Sequence, residues 1–211
     1  MFKKAFTLAE ILIVMAIIGT VAVATIPNLV DSYQEDKDIA KLRGVFHELE
    51  VAYAKAVAEY GPIYMWTDNS TQRAKILMKY VKSTYCGTDK NNSCYPSNVY
   101  GNDITYLKYE LENGVGLAIY IFKSPTNTGR IYVSLGGAKG RVNVGKNIFR
   151  IDLNSSNSVY PYGKNLDRQS NGAFKTSAVS YNATNWAITN GNMDYLKCAN
   201  KLNWTNQTSC P

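Results

Sequence analysis

The chain has 211 residues, of which 45% are hydrophobic, and carries a formal net charge of +7 with one histidine and four cysteines. That length suits one domain plus an anchor. A Ser-His-Asp or Cys-His triad would have to use His47, and the basic excess contains no run of five or more like charges, so it reads as a solvated surface.

Taken in order, the chain opens with Lys3 and Lys4, followed by a long apolar stretch. Residues 11–26 carry no charge and are interrupted only by Gly19, Thr20 and Thr25. From Phe6 to Val30 the one ionisable residue is Glu10. A carboxylate at a bilayer centre costs about 2.5–3.5 kcal/mol, so such a residue marks a candidate functional site and needs a partner. The two lysines mark the end that stays cytoplasmic. Two plain readings fit the stretch. One is a secretory signal with Ala22-Val23-Ala24 as its cleavage site. The other is a membrane anchor with no further role. Neither needs the glutamate.

The run Lys3-Lys4-Ala5-Phe6-Thr7-Leu8-Ala9-Glu10 resembles the processing site of type IV prepilins and type II secretion pseudopilins. The resemblance covers about thirty residues. It implies cleavage between Ala5 and Phe6, N-methylation of the new amine on Phe6, and polymerisation through the amino-terminal helix, with Phe6, Glu10 and Pro27 as assembly residues. Pro27 stands where the family often kinks this helix. Ala5 departs from the pattern, because the family usually has Gly before the cut. The resemblance further implies a homo-oligomer or a mixed fibre with other pilins. It implies a prepilin peptidase, an assembly platform protein and an assembly ATPase as partners, and no catalysis or cofactor. The subunit would sit in the bacterial inner membrane with its head outside the cytoplasm, then join a fibre. Residues 1–5 would be the leader, 6–30 the transmembrane and assembly half of the helix, and 31–211 the head.

Beyond Pro27 the helical pattern continues. Leu42, Val45, Phe46, Leu49, Tyr53, Ala56, Val57 and Tyr60 recur at three- and four-residue steps and share a face, until Gly61-Pro62 ends the run. Pro27 lacks a backbone donor, so a bend or loosened turn is expected there. His47 reads as a surface or packing residue. A second helix follows, with Ile76, Leu77, Tyr80 and Val81 on its apolar side and Asp68 or Ser70 as its cap.

Strands come next. Residues 104–112 and 115–123 flank Asn113-Gly114, the strongest short hairpin signal. Residues 131–135 and 148–153 add two more strands, and one sheet face should pack on the helix stripe. From Asn154 onward periodicity fades, apart from a short ordered piece at 186–188. The expected fold class is α+β and pilin-like. A long amino-terminal helix, transmembrane then amphipathic, packs on an antiparallel sheet, and the carboxy-terminal region is irregular and disulfide-closed.

An even cysteine count in an exported chain reads as disulfides. Of three connectivities, the spacing points to two local loops, Cys86 with Cys94 and Cys198 with Cys210. Zinc is disfavoured because neither pair has knuckle spacing. Two weaker resemblances lie in the head. Residues 131–149 are similar to a pilin-like loop that in major pseudopilins can hold calcium. Gly136, Asn143, Gly145 and Phe149 match, but Ser134 and Asn147 stand where Asp is expected, so the loop reads as structural and no metal is assigned. Residues 192–210 resemble the tail of a pilin-like group from gut bacteria. Gly136-Gly137 lacks the spacing of a nucleotide fingerprint. Two alternatives from other classes stay open. One is a minor pilin that binds DNA through basic and aromatic head residues. The other is a secreted adhesin or enzyme with an ordinary signal.

Overall fold

The computed structural model describes residues 7–91, 93–122, 129–154, 158–164 and 166–211. The fold is α+β. The chain divides into two compact units, Met1–Lys37 and Asp38–Pro211. Helix α1 (Leu8–Tyr60) is continuous in sequence across both and contains Pro27 without interruption.

Within the second unit, α1 packs on a six-stranded antiparallel meander. The strands are β1 (Ser83–Gly87), β2 (Leu107–Leu111), β3 (Gly116–Ile121), β4 (Gly129–Ser134), β5 (Ile148–Leu153) and β6 (Val159–Pro161). Their spatial order is their order in the chain. Asn113-Gly114 turns β2 into β3, with Gly114 at φ +77 as the tight turn requires.

Period-two alternation divides the sheet into two faces. Leu107, Tyr109 and Leu111 of β2, Leu117, Ile119 and Ile121 of β3, Ile131 and Val133 of β4, and Phe149, Ile151 and Leu153 of β5 join one core. The same core takes Ile39, Leu42, Val45, Leu49, Ala52, Tyr53 and Ala56 from α1. The expected stripe is thus largely met, although Phe46 and Val57 are only partly buried and Tyr60 is exposed. Each fully buried large aliphatic side chain contributes about 1.5–3 kcal/mol, set against the entropy of ordering it. Tyr53 donates to the Asn154 carbonyl at 3.1 Å, tying α1 to the end of β5.

Helix α2 (Ser70–Met78) buries Ala74 and Leu77 beside β3. Its cap is Asn69, whose side chain accepts from the N–H groups of Thr71 and Gln72, not the expected Asp68 or Ser70. Arg73 is buried and donates to the carbonyls of Ile121 and Thr67, which locks the helix to β3. The second sheet face presents Lys108, Ala118, Tyr132, Arg150 and Asp152, with Arg150 and Asp152 joined in a bidentate pair at 2.7 Å. A smaller cluster of Tyr95, Tyr106, Ala118 and Tyr132 covers part of this face.

The carboxy-terminal region holds α3 (Thr184–Asn190) and α4 (Tyr195–Cys198). Trp186 is fully buried between Phe174 and Trp204, with ring centroids at 5.1 and 4.7 Å. Arg43 of α1 donates to the carbonyls of Ile188 and Thr189, the exposed acceptors at the end of α3. Gly191 follows at φ +72, and a Cβ there would lie 2.7 Å from the Arg43 guanidinium.

Candidate functional site

The residues singled out at the amino terminus fall on α1 and just before it. Ala5 and Phe6 lie outside the described residues. Glu10 stands in the first helical turn and Pro27 inside the helix, both exposed. Seventeen positions separate them, about 25 Å along a helix, so they form no common constellation within one chain.

Glu10 has a local task. Its Oε2 accepts from the Thr7 N–H at 2.8 Å and from the Thr7 hydroxyl at 2.9 Å. The Thr7 hydroxyl oxygen in turn accepts from the Glu10 N–H at 3.3 Å. This is a reciprocal capping box, in which a Thr and a Glu three residues later satisfy backbone donors that the first turn leaves open. The signal, Thr-x-x-Glu ahead of an apolar run, is visible in the sequence, yet a reading centred on the charge alone passes over Thr7. Among the described residues, Glu10 has no cationic partner.

The helix beyond it is apolar on all sides. Leu8, Ile11, Leu12, Ile13, Val14, Met15, Ile17, Ile18, Val21, Val23, Ile26, Leu29 and Val30 are all exposed. Thr20 and Thr25 turn their hydroxyls back onto the carbonyls of Ile17 and Val21, each at 2.9 Å. Both polar side chains are thereby satisfied within the helix, as a lipid or protein interior demands. The helix is long and apolar enough to cross a membrane. This much fits a membrane anchor or a signal sequence.

In the second unit Cys86 is bonded to Cys94 and Cys198 to Cys210, which removes all four thiols from any metal site. Asp194 braces the second loop by accepting from the Cys210 N–H at 2.8 Å. The loop between β4 and β5 uses its side chains internally. The Ser134 hydroxyl donates to the Gly137 carbonyl at 2.8 Å, and Asn147 Oδ1 accepts from the Asn143 N–H at 2.8 Å. His47 is exposed on α1, 3.7 Å from Glu50.

No family model, curated protein or solved structure matches the chain. The fold therefore defines a class of architecture and no more. A long apolar amino-terminal helix, a six-stranded antiparallel sheet packed on its later turns, and a disulfide in the tail make that architecture pilin-like.

Proposed function

We propose that the chain is a prepilin-type structural subunit of a type IV pilus or a type II secretion pseudopilus. In this reading it is exported with its head outside the cytoplasm, cut between Ala5 and Phe6, N-methylated on Phe6, and polymerised through the amino-terminal helix. One observation carries the reading. A helix apolar on every side, with a single carboxylate in its first turn, is joined to a head that has its own core. Exposed apolar patches of this size mark a membrane or partner surface. Lipid covers such a helix first and neighbouring copies cover it in a fibre. The Phe6 amine created by cleavage supplies a cation for Glu10 of an adjacent copy. The two bonded cysteine pairs fit an oxidising compartment outside the cytoplasm. A prepilin peptidase, a platform protein and an assembly ATPase are the partners this route requires, and the subunit itself performs no catalysis.

Amino-terminal sequencing of the exported protein tests the proposal. A methylated start at Phe6 is expected. A start near Thr25 would make the chain an ordinary secreted protein, and an uncut Met1 would make it a simple anchor.

A further inference from the structure

The second unit contains an open cleft of about 560 Å³, lined by residues of the 97–103 loop together with Lys90, Val142, Val144 and Tyr181. Tyr100 and Tyr181 form its aromatic wall, with Val142 beside them, while Lys90, Asn98 and Asp103 supply polar groups. Tyr100 is 75% exposed and meets Tyr181 edge-on at 6.2 Å.

Four buried groups fix the backbone beneath it. The Tyr95 hydroxyl donates to the Tyr100 carbonyl at 3.0 Å. Asn102, 4% exposed, donates to the carbonyls of Lys90 and Ser97 at 2.9 and 2.8 Å. Lys108, fully buried, donates from Nζ to the carbonyls of Thr88 and Asp103. Gly101, at φ +91, lies so close to Tyr132 that a Cβ would come within 2.8 Å of its ring. The Cys86–Cys94 disulfide closes the same region. Burying an ammonium among carbonyls is costly and does nothing for the main core. What it secures is the position of the 97–103 backbone from which the Tyr100 ring projects. A rigid loop that presents an exposed aromatic side chain at a concave surface has met its ordering cost before any ligand arrives.

The lining indicates the chemistry of the occupant. The two charged side chains of the lining, Lys90 and Asp103, are opposite in sign, so the lining carries no net charge to select a phosphate chain or a polycation. The lining combines aromatic and aliphatic side chains with an amide, a carboxylate and an ammonium, which together both donate to and accept from hydroxyls. Among the described residues, no hydrogen bond within the chain engages the Asn98 side chain. We infer that the cleft binds a neutral saccharide, with the apolar face of a sugar ring on Tyr100 and its hydroxyls on Asn98 and on Asp103 Oδ2, since Asp103 Oδ1 already accepts from the Thr105 N–H and hydroxyl. The volume falls within the ordinary range for small-molecule sites. The inference holds whether or not the chain polymerises.

The test uses the full-length chain in a detergent without a sugar headgroup. The probes are galactose, N-acetylglucosamine and lactose, followed by saturation-transfer NMR and titration. At least one sugar is expected to bind with Kd on the order of 1 mM, its ring protons saturated most strongly. Tyr100→Ala should weaken binding roughly tenfold, Tyr100→Trp should retain it, and Val142→Arg, at the exposed rim, should abolish it. All three variants alter exposed side chains and should melt with the parent protein. Absence of binding by all three sugars would overturn the inference. So would unchanged affinity in Tyr100→Ala, or Tyr100-dependent binding of an oligothymidine in place of a sugar.

Discussion

Two stretches of one helix treat apolar side chains in opposite ways. From Leu8 to Val30 they are exposed on every side, whereas from Ile39 to Ala56 they occupy one stripe and vanish into a core shared with the sheet. The two stretches differ in composition as well as in partners: the earlier has Glu10 as its single charged residue, whereas the later has Lys41, Arg43, Glu48, Glu50 and Lys55. The later turns carry charged residues on the free face and receive five strands' worth of apolar side chains on the other. Among the described residues, the earlier turns have nothing within their own unit to receive them. Stability in water therefore belongs to the second unit, and the first unit carries the exposed apolar surface that fits a membrane anchor or a signal sequence.

The largest expected effect breaks the head and leaves the anchor intact. Trp186→Ala removes a fully buried ring packed against Phe174 and Trp204. It should cost about 3–5 kcal/mol of head stability, read as a fall in Tm, with membrane association unchanged. The converse is next in size. Ile17→Asp places a second carboxylate in the apolar span and should cost about 2.5–3.5 kcal/mol of insertion. Membrane fractionation should show the loss while the head melts as before. If either substitution moved both readouts, the division between the two stretches would fail.

A smaller effect sharpens the comparison by pH. Asp167 is fully buried; its Oδ2 accepts from Asn185 at 3.1 Å, and its Oδ1 has no hydrogen-bond partner among the described residues. Burial pushes its carboxyl up to about 6. The folded head thus favours the protonated acid. The stabilisation is complete below the ordinary carboxylate value near 4 and is lost as pH rises through about 6, a change of about 1–3 kcal/mol. Thermal melts of the parent chain should show this decline between pH 4 and 7, and Asp167→Asn should flatten it. Membrane association should not respond in either protein. A decline that persists in Asp167→Asn would assign it to another group.

Much of this arrangement is legible in the sequence, and the gaps have physical causes. The Asn-Gly turn, the alternation in β2 to β5 and the stripe on α1 are local signals that tertiary packing reinforces. Strand β1 escapes notice because Ser83-Thr84-Tyr85-Cys86-Gly87 lacks alternation and its register slips between Tyr85 and Gly87. Strand β6 has three residues and ends on Pro161 at the sheet edge. Helices α3 and α4 are too short to show a period and are secured by distant groups, Arg43 and the Cys198–Cys210 bond. Lys108 reads as an exposed strand residue, but the 95–106 loop folds over it. Which loop covers a polar sheet face is long-range information that no local pattern carries. At the amino terminus the glutamate stands out by its charge, while its partnership with Thr7 depends on a weaker capping signal.

That partnership selects the most direct test of the central claim, that Glu10 serves assembly through its charge. A leucine at this position would destroy the capping box and the charge together. Glutamine can serve in a capping box, so Glu10→Gln keeps the first and removes only the second. An opposite charge at ~4 Å is worth about 4 kcal/mol at an effective dielectric of about 20, against about 1 in water. The measurement is fibre yield from cells expressing Glu10→Gln, with the processed amino terminus verified in the membrane fraction. The account predicts a protein cut before Phe6, inserted in the membrane, and absent from fibres. Wild-type fibre yield from the same processed protein would contradict it and leave Glu10 as a helix cap alone.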